Sequence, residues 1–232
     1  MFDGSRKPLD QNISETAAIV EMAHAANVSC EGEIGFVGYS GGEGSAGTDP
    51  EEARQFAQDT GVDAMAISVG NVHLQQDKEG GLDIDRIRAI EAITEVPLVI
   101  HGGSGVPVAQ RKMLARQSRI CKFNIGTELR MAFGTALRDA VNSDPDRFDR
   151  VSILAETHDP VVAAARSVLR AFKGETQCWI SAFWAAGASG RSMRGLSGNW
   201  TGCASLQLQM RCRMPPMHWP ARSARMSARP PR

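Results

Sequence analysis

Between Pro8 and Gly174, short apolar runs alternate with stretches of ten or more residues that carry helical periodicity, and Gly, Asp, Asn or Pro bounds each run. Such alternation builds βα units, and hence a parallel sheet covered by helices. Val28 to Ile34, Ala64 to Val69, Pro97 to His101 and Ile120 to Asn124 are the expected strands, and the opening MFDGS reads as the carboxyl end of another. Continuous apolar strands such as PLVI suit a sheet buried on both faces. Helices are expected after Ser14-Glu15, after Thr48-Asp49-Pro50-Glu51 with Thr48 as the cap, after Asp83, from Thr127 through Asn142, around Ser152, and from Pro160 to Lys173.

Composition separates the chain into two parts. The 232 residues balance 26 basic against 26 acidic side chains, yet residues 175–232 hold eight Arg, no Lys and one acid, Glu175. All four tryptophans (Trp179, Trp184, Trp200, Trp219) and three of the five cysteines also fall there. We therefore divide the chain into a βα body, residues 1–174, and an unpatterned tail, residues 175–232. A basic disordered tail able to touch nucleic acid is one reading of that tail. Arg without Lys, among scattered Trp, Pro and Cys, is better accounted for by an out-of-frame reading of a GC-rich gene. No run approaches the roughly 18 apolar residues of a membrane span, and the amino terminus lacks the order of a signal peptide. The expectation is a cytoplasmic protein with neither membrane nor nucleic acid as partner.

Side chains at the carboxyl ends of parallel strands converge on one face, where α/β barrels and open α/β sheets place their sites. Asp3, Glu33, His73 and His101 all fall at such ends. Two imidazoles and two carboxylates on one rim suit a divalent ion, and mixed nitrogen and oxygen donors favour zinc or a similar metal. Glu31, two residues before Glu33 on the same face, is placed to hold a ligand from behind. The run Gly102-Gly103-Ser104-Gly105 after His101 has the form of a phosphate cradle, and Asn124-Ile125-Gly126-Thr127 at the next strand end offers a second set of backbone N–H groups. Together they predict a phosphorylated small-molecule substrate. The loop GFVGYSGGEGSAG, residues 35–47, reads either as a mobile lid that delivers Glu43 as a general base or as a floppy connection with an incidental acid. Cys30 and Cys121, both in strand runs, read as buried free thiols.

Taken in order, MFDGS, GEIG with the Gly-rich loop and TDPEEA, GNVH, PLVIHGGSG and CKFNIGTELR resemble the class II, metal-dependent fructose-bisphosphate aldolases and their tagatose-bisphosphate relatives. The resemblance covers residues 1 to about 173. It implies a (β/α)8 barrel, in a homo-oligomer, that reversibly cleaves a ketose bisphosphate to dihydroxyacetone phosphate and an aldehyde. By the same resemblance His73 and His101 match two ligands of a catalytic Zn2+, and Asp3 and Glu33 match acidic ligands of a second divalent position. A monovalent cation is a further possible cofactor, while Gly102, Gly103, Ser104 and Asn124, Ile125, Gly126, Thr127 match the segments that hold the substrate phosphate.

The chain also departs from the family pattern. The Asp-His motif that supplies a further zinc ligand and a catalytic aspartate is absent from the sequence, and MFDGS corresponds to the fourth strand. The expectation is thus a barrel represented by its later strands, about the fourth to the eighth, with impaired catalysis. The rival is a non-catalytic paralogue that binds a sugar phosphate or an oligomer partner. Leu74 stands after the histidine where the family commonly has Gly, Gly126 replaces the usual Asp, and Glu43 lacks the usual neighbouring acid.

Overall fold

The structure is a computed structural model and describes residues 1–39, 41, 42, 44–74, 76, 81–172 and 179–181. Its elements run β1 Phe2–Asp3, α1 Leu9–Ala25, β2 Glu31–Ile34, α2 Pro50–Thr60, β3 Ala64–Ile67, α3 Ile84–Ile93, β4 Leu98–Ile100, a 3-10 turn Gly103–Gly105, α4 Val108–Gln117, β5 Ile120–Asn124, α5 Thr127–Ser143, α6 Arg150–Ala155, α7 His158–Phe172 and β6 Trp179–Ser181. The strands form one parallel sheet in the order β1-β2-β3-β4-β5-β6. Each of the first four steps between neighbouring strands is made through at least one helix. This is the arrangement that the alternation of apolar runs dictates.

Register gives the sheet two chemically different faces. Asp3 pairs with Glu33, Glu33 with Ala66, Ala66 with Val99 and Val99 with Lys122, so these five residues form one row across five strands. Residues in register share a face and their sequence neighbours take the other. On that other face Met65, Ile67, Leu98, Ile100, Ile120 and Phe123 join Phe56, Ile87, Ile90, Leu114, Val168 and Phe172 from the helices in a continuous apolar core. Gly32 belongs to this side. A Cβ there would lie 2.9 Å from the Phe56 ring and from Val62, so glycine between two glutamates is what lets α2 pack directly on β2.

Several local expectations are corrected. The cap of α2 is Asp49, whose side chain accepts from the N–H groups of Glu51 and Glu52, rather than Thr48. The Thr48 hydroxyl instead donates to the carbonyl of Ile34 and accepts from the N–H of Ser68, tying the ends of β2 and β3 together while fully buried. Helix α1 begins directly after Pro8, well before Ser14, because Pro fits the entry to a first turn. Helix α4 was not anticipated: Arg111 fills a buried position where the periodic pattern calls for an apolar residue.

Six strands replace the five expected. β6 pairs in parallel with β5, Lys122 opposite Trp179 and Asn124 opposite Ser181, and lies in the stretch read as unpatterned. Three residues are too few to establish a period. The rest of the tail lies outside the described residues. Of the two cysteines expected to be buried thiols, both are free; Cys30 is buried just ahead of β2 and Cys121 is half-buried. Burial pushes both thiols above their ordinary range, Cys121 to about 11. Among the described residues no helix is long and apolar enough to cross a membrane.

Candidate active site

The rim of the sheet gathers most of the sequence-expected residues. His101 follows β4 on the face of Val99 and is 4% exposed. Its Nε2 lies 3.0 Å from Oε1 of Glu31 and its Nδ1 lies 3.1 Å from Oε2 of Glu33. The second carboxylate oxygen of Glu31 meets the ammonium of Lys122 on β5. Two acids and two bases thus lie in one chain from β2 through β4 to β5.

This arrangement fixes protonation. Burial pushes the His101 imidazole down, but the hydrogen bonds to Glu31 and Glu33 outweigh it and raise it to about 9. Burial likewise pushes the Glu31 carboxyl up, and the hydrogen bonds from His101 and Lys122 overcome that and hold it below its ordinary value. His73 behaves oppositely. Burial, then the charges of His101 and Arg130, lower it, with Asp3 opposing, so its ring is neutral near pH 7. The two rings are tilted by 43° with centroids 6.2 Å apart, and Tyr39, at the base of the Gly-rich loop, lies 5.0 Å from His73.

Backbone conformation brings His73 to His101. Asn71, buried, accepts from the N–H of Val69 and donates from its side-chain amide to the carbonyls of Ile67 and His101. The His73 N–H donates to the carbonyl of Gly38, and Tyr39 and His73 form a parallel bridge, which hooks the loop onto the end of β3. Gly102 has φ +63, and a Cβ there would lie 2.5 Å from the carbonyl oxygen of Val72. Only glycine permits both the left-handed turn and this approach. Leu74 follows His73 with φ +58, a conformation that costs a side-chain-bearing residue about 1–2 kcal/mol.

The two Gly-rich segments are joined by one hydroxyl. Ser104 Oγ, buried, accepts from the N–H of Gly126 at 3.2 Å and of Glu128 at 3.3 Å. Gly126 is the cap residue of α5 and has no capping side chain of its own, so Ser104 supplies the missing acceptor from the neighbouring loop. The 17-residue α5 then points its positive end at the rim. Thr127 is buried in its first turn.

Other expected residues stand apart. Asp3 occupies the row of Glu33, but it is exposed and its Oδ1 accepts from the N–H and hydroxyl of Ser5. Glu43 lies outside the described residues. Sequence reasoning passed over Lys122, Asn71 and Arg111; a lysine inside the strand ICKFN was a signal that could have found the first. A cleft of about 590 Å³ lies elsewhere, among Met131, Ala136, Asp139, Glu156 and Pro160 on the helical layer, and includes none of the expected site residues.

The donor set can be tested against a metal. Two imidazoles on one zinc ion, each at about 2.0–2.1 Å, place their ring centres roughly 5–6 Å apart, close to the observed spacing of His73 and His101. Among the described residues no group of three His, Cys, Asp or Glu is arranged to hold an ion. Both His101 nitrogens are also engaged by carboxylates. The spacing of the two rings suits a pair of zinc ligands, but His101 would first have to give up a proton and one carboxylate partner, and the described residues do not complete a catalytic site, which takes three from protein.

Comparison with known proteins identifies the family. The family profile for fructose-bisphosphate aldolase class-II matches residues 1–177. The chain belongs to the class-II fructose-bisphosphate aldolase family. A fructose-bisphosphate aldolase of Geobacillus stearothermophilus is 35% identical over 176 residues, covering 74% of this chain and 61% of that protein. The crystal structure of the YdjI aldolase from Escherichia coli K12 superposes with a TM-score of 0.59 at 28% identity, over 75% of this chain and 59% of the other. A putative fructose-1,6-bisphosphate aldolase from Coccidioides immitis gives a TM-score of 0.60 at 21% identity, over 75% and 62% of the two chains, and supports the fold alone. The chain thus spans about three fifths of the length of these relatives. The parallel α/β sheet is of the barrel type seen in the aldolases.

Proposed function

We propose that this chain forms the metal and phosphate half of a class II ketose-bisphosphate aldolase, cleaving fructose or tagatose bisphosphate to dihydroxyacetone phosphate and an aldehyde. The observation that carries this reading is the convergence of His73, His101 and Glu33 with the Gly102–Ser104 and Asn124–Thr127 segments at adjacent strand ends. His73 and His101 would hold Zn2+, with Asp3 and Glu33 toward a second divalent position and a monovalent cation nearby. When bound, zinc supplies a Lewis acid for the substrate carbonyl.

The protein's own residues would do the rest. Glu31, charged and fixed by Lys122, holds the His101 ring in one orientation, so the imidazole need not be ordered when substrate arrives. His73, neutral, offers a lone pair without first losing a proton. Gly102, Gly103 and Ser104, with Asn124, Ile125, Gly126 and Thr127, would seat one phosphate against the amino end of α5. Glu43 would move a proton at the substrate from the lid. The complete protein would work as a soluble homo-oligomer in the cytoplasm, and residues 182–232, past β6, would take no part.

The test is a coupled assay for dihydroxyacetone phosphate, with each bisphosphate in turn, on the full-length gene product with and without zinc. Zinc-dependent release from either substrate supports the proposal. Phosphate-sugar binding without turnover, and without about one zinc per chain, would favour the non-catalytic paralogue.

A further inference from the structure

Arg111 heads the fully buried side chains by size and is 1% exposed. It stands on α4, the helix that follows the Gly103–Gly105 turn, and its Nη1 lies 2.9 Å from Oε1 of Glu128 in the first turn of α5. The contact is one of charge, since neither Nη1 nor Nε makes a hydrogen bond. For packing alone a Leu or Met would fill this place without taking a cation out of water. The buried charge calls for an electrostatic explanation, and Glu128 provides one.

Glu128 follows Thr127 and gives its N–H to Ser104 Oγ, so its carboxylate belongs to the same helix end as the phosphate segment. An acid in the first turn is favourable to the helix because it meets the positive end of the backbone dipoles. A dianion bound at that end would be drawn by the same dipoles and repelled by the acid. Arg111 sits where it removes the conflict, and it does so from beneath, on the helix that continues from the other phosphate loop.

We infer that Arg111 is a positioning residue of the phosphate site: it neutralises the Glu128 carboxylate so that the amino end of α5 and the Ser104 hydroxyl are left for a phosphoryl group. This rests on the proposed role of the two loops as the phosphate site, and deepens it. Because α4 and α5 each continue directly from one loop, the ion pair also holds the two loops at a fixed spacing.

Inorganic phosphate is the probe. In the 15N-labelled full chain, amide shifts of Gly102, Gly103, Ser104, Gly126 and Thr127 report its affinity, and circular dichroism reports the fold. Arg111→Met should weaken phosphate by about tenfold or more, because it removes the cation that faces a partly buried acid beside the anion. Glu128→Gln should bind phosphate at least as tightly as the unaltered chain. Arg111→Met combined with Glu128→Gln should return the affinity to within about threefold. A merely structural arginine would leave the double variant as weak as Arg111→Met, and that result overturns the inference, as does weaker binding in Glu128→Gln. The latter arm keeps the buried cation and decides the matter even where Arg111→Met does not fold. If the unaltered chain shows no phosphate-dependent shift at these amides, the loop assignment fails and the inference with it; normal binding with an indifferent Arg111→Met overturns the inference alone.

Discussion

Glu31 and His101 are 70 positions apart in the chain and 3.0 Å apart in space, with the Glu31 carboxylate also tied to Lys122. His101 is held on its other nitrogen by Glu33. The cluster carries two negative and two positive charges when the imidazole is protonated, which is why the ring keeps its proton to about pH 9.

The stability of the metal-free protein should follow that proton. The folded His101 binds it more tightly than an unfolded histidine does, so its contribution is fully present below about pH 6.5 and is lost as pH rises to about 9. Glu31, lowered in the fold, contributes above its ordinary range near 4.5 and loses that contribution as pH falls. Urea denaturation in a chelator should show a plateau between these limits and a loss on the order of 3 kcal/mol by pH 9.5. A flat profile from pH 6 to 9.5 would remove the ion pairs from the energetics.

His101→Ala removes the centre of the cluster and leaves Glu31 and Glu33 facing one another without the cation between them. We expect a loss of about 3–5 kcal/mol in stability and, in the full-length protein, the disappearance of zinc-dependent cleavage. Full activity in this variant would exclude His101 from the mechanism.

Leu74 holds a left-handed backbone beside His73. Leu74→Gly should stabilise the fold by up to about 1 kcal/mol, less than the strain relieved because glycine also loosens the unfolded chain. Leu74→Ala keeps a Cβ and should show no such gain. Thermal melts of the pair decide it, and equal melting points would mean that the strain is absent.

Thr48 serves two strand ends with one hydroxyl, donating to Ile34 and accepting from Ser68. Thr48→Val preserves shape and strands a buried carbonyl and a buried N–H, so we expect a cost of about 1–3 kcal/mol. Thr48→Ser should recover most of it. A valine variant as stable as the parent, measured by urea denaturation, would show that water or a backbone shift satisfies both groups.

These cases separate what sequence can carry from what it cannot. Strands such as ICKFN and caps such as Asp83 were legible because their causes lie within a few residues. The Asp49 cap was misread by one position because Thr48 is equally able to cap, and only the distant Ser68 and Ile34 decide what its hydroxyl does. The positions of His73, His101 and Glu33 at strand ends followed from periodicity, whereas the Glu31–Lys122 contact joins residues 91 apart and leaves no local pattern. Arg111 hid α4 by interrupting its apolar stripe. Trp179–Ser181 carries no repeat at all, and only its pairing with β5 makes it a strand.

Every strand in the sheet has as neighbours the strands next to it in the chain, so pairing could accrete one βα unit at a time, without awaiting any distant segment. The cluster of Glu31, Glu33, His101 and Lys122 obeys a different logic, because it draws on three strands and bypasses β3 between them. Assembly of the scaffold is therefore incremental, while the chemistry is completed only at its end: β2 and β4 together place the imidazole between its two carboxylates, and Glu31 gains its lysine only when β5 docks. A chain built this way can drift in its outer layers, while any change at the rim is felt across three strands.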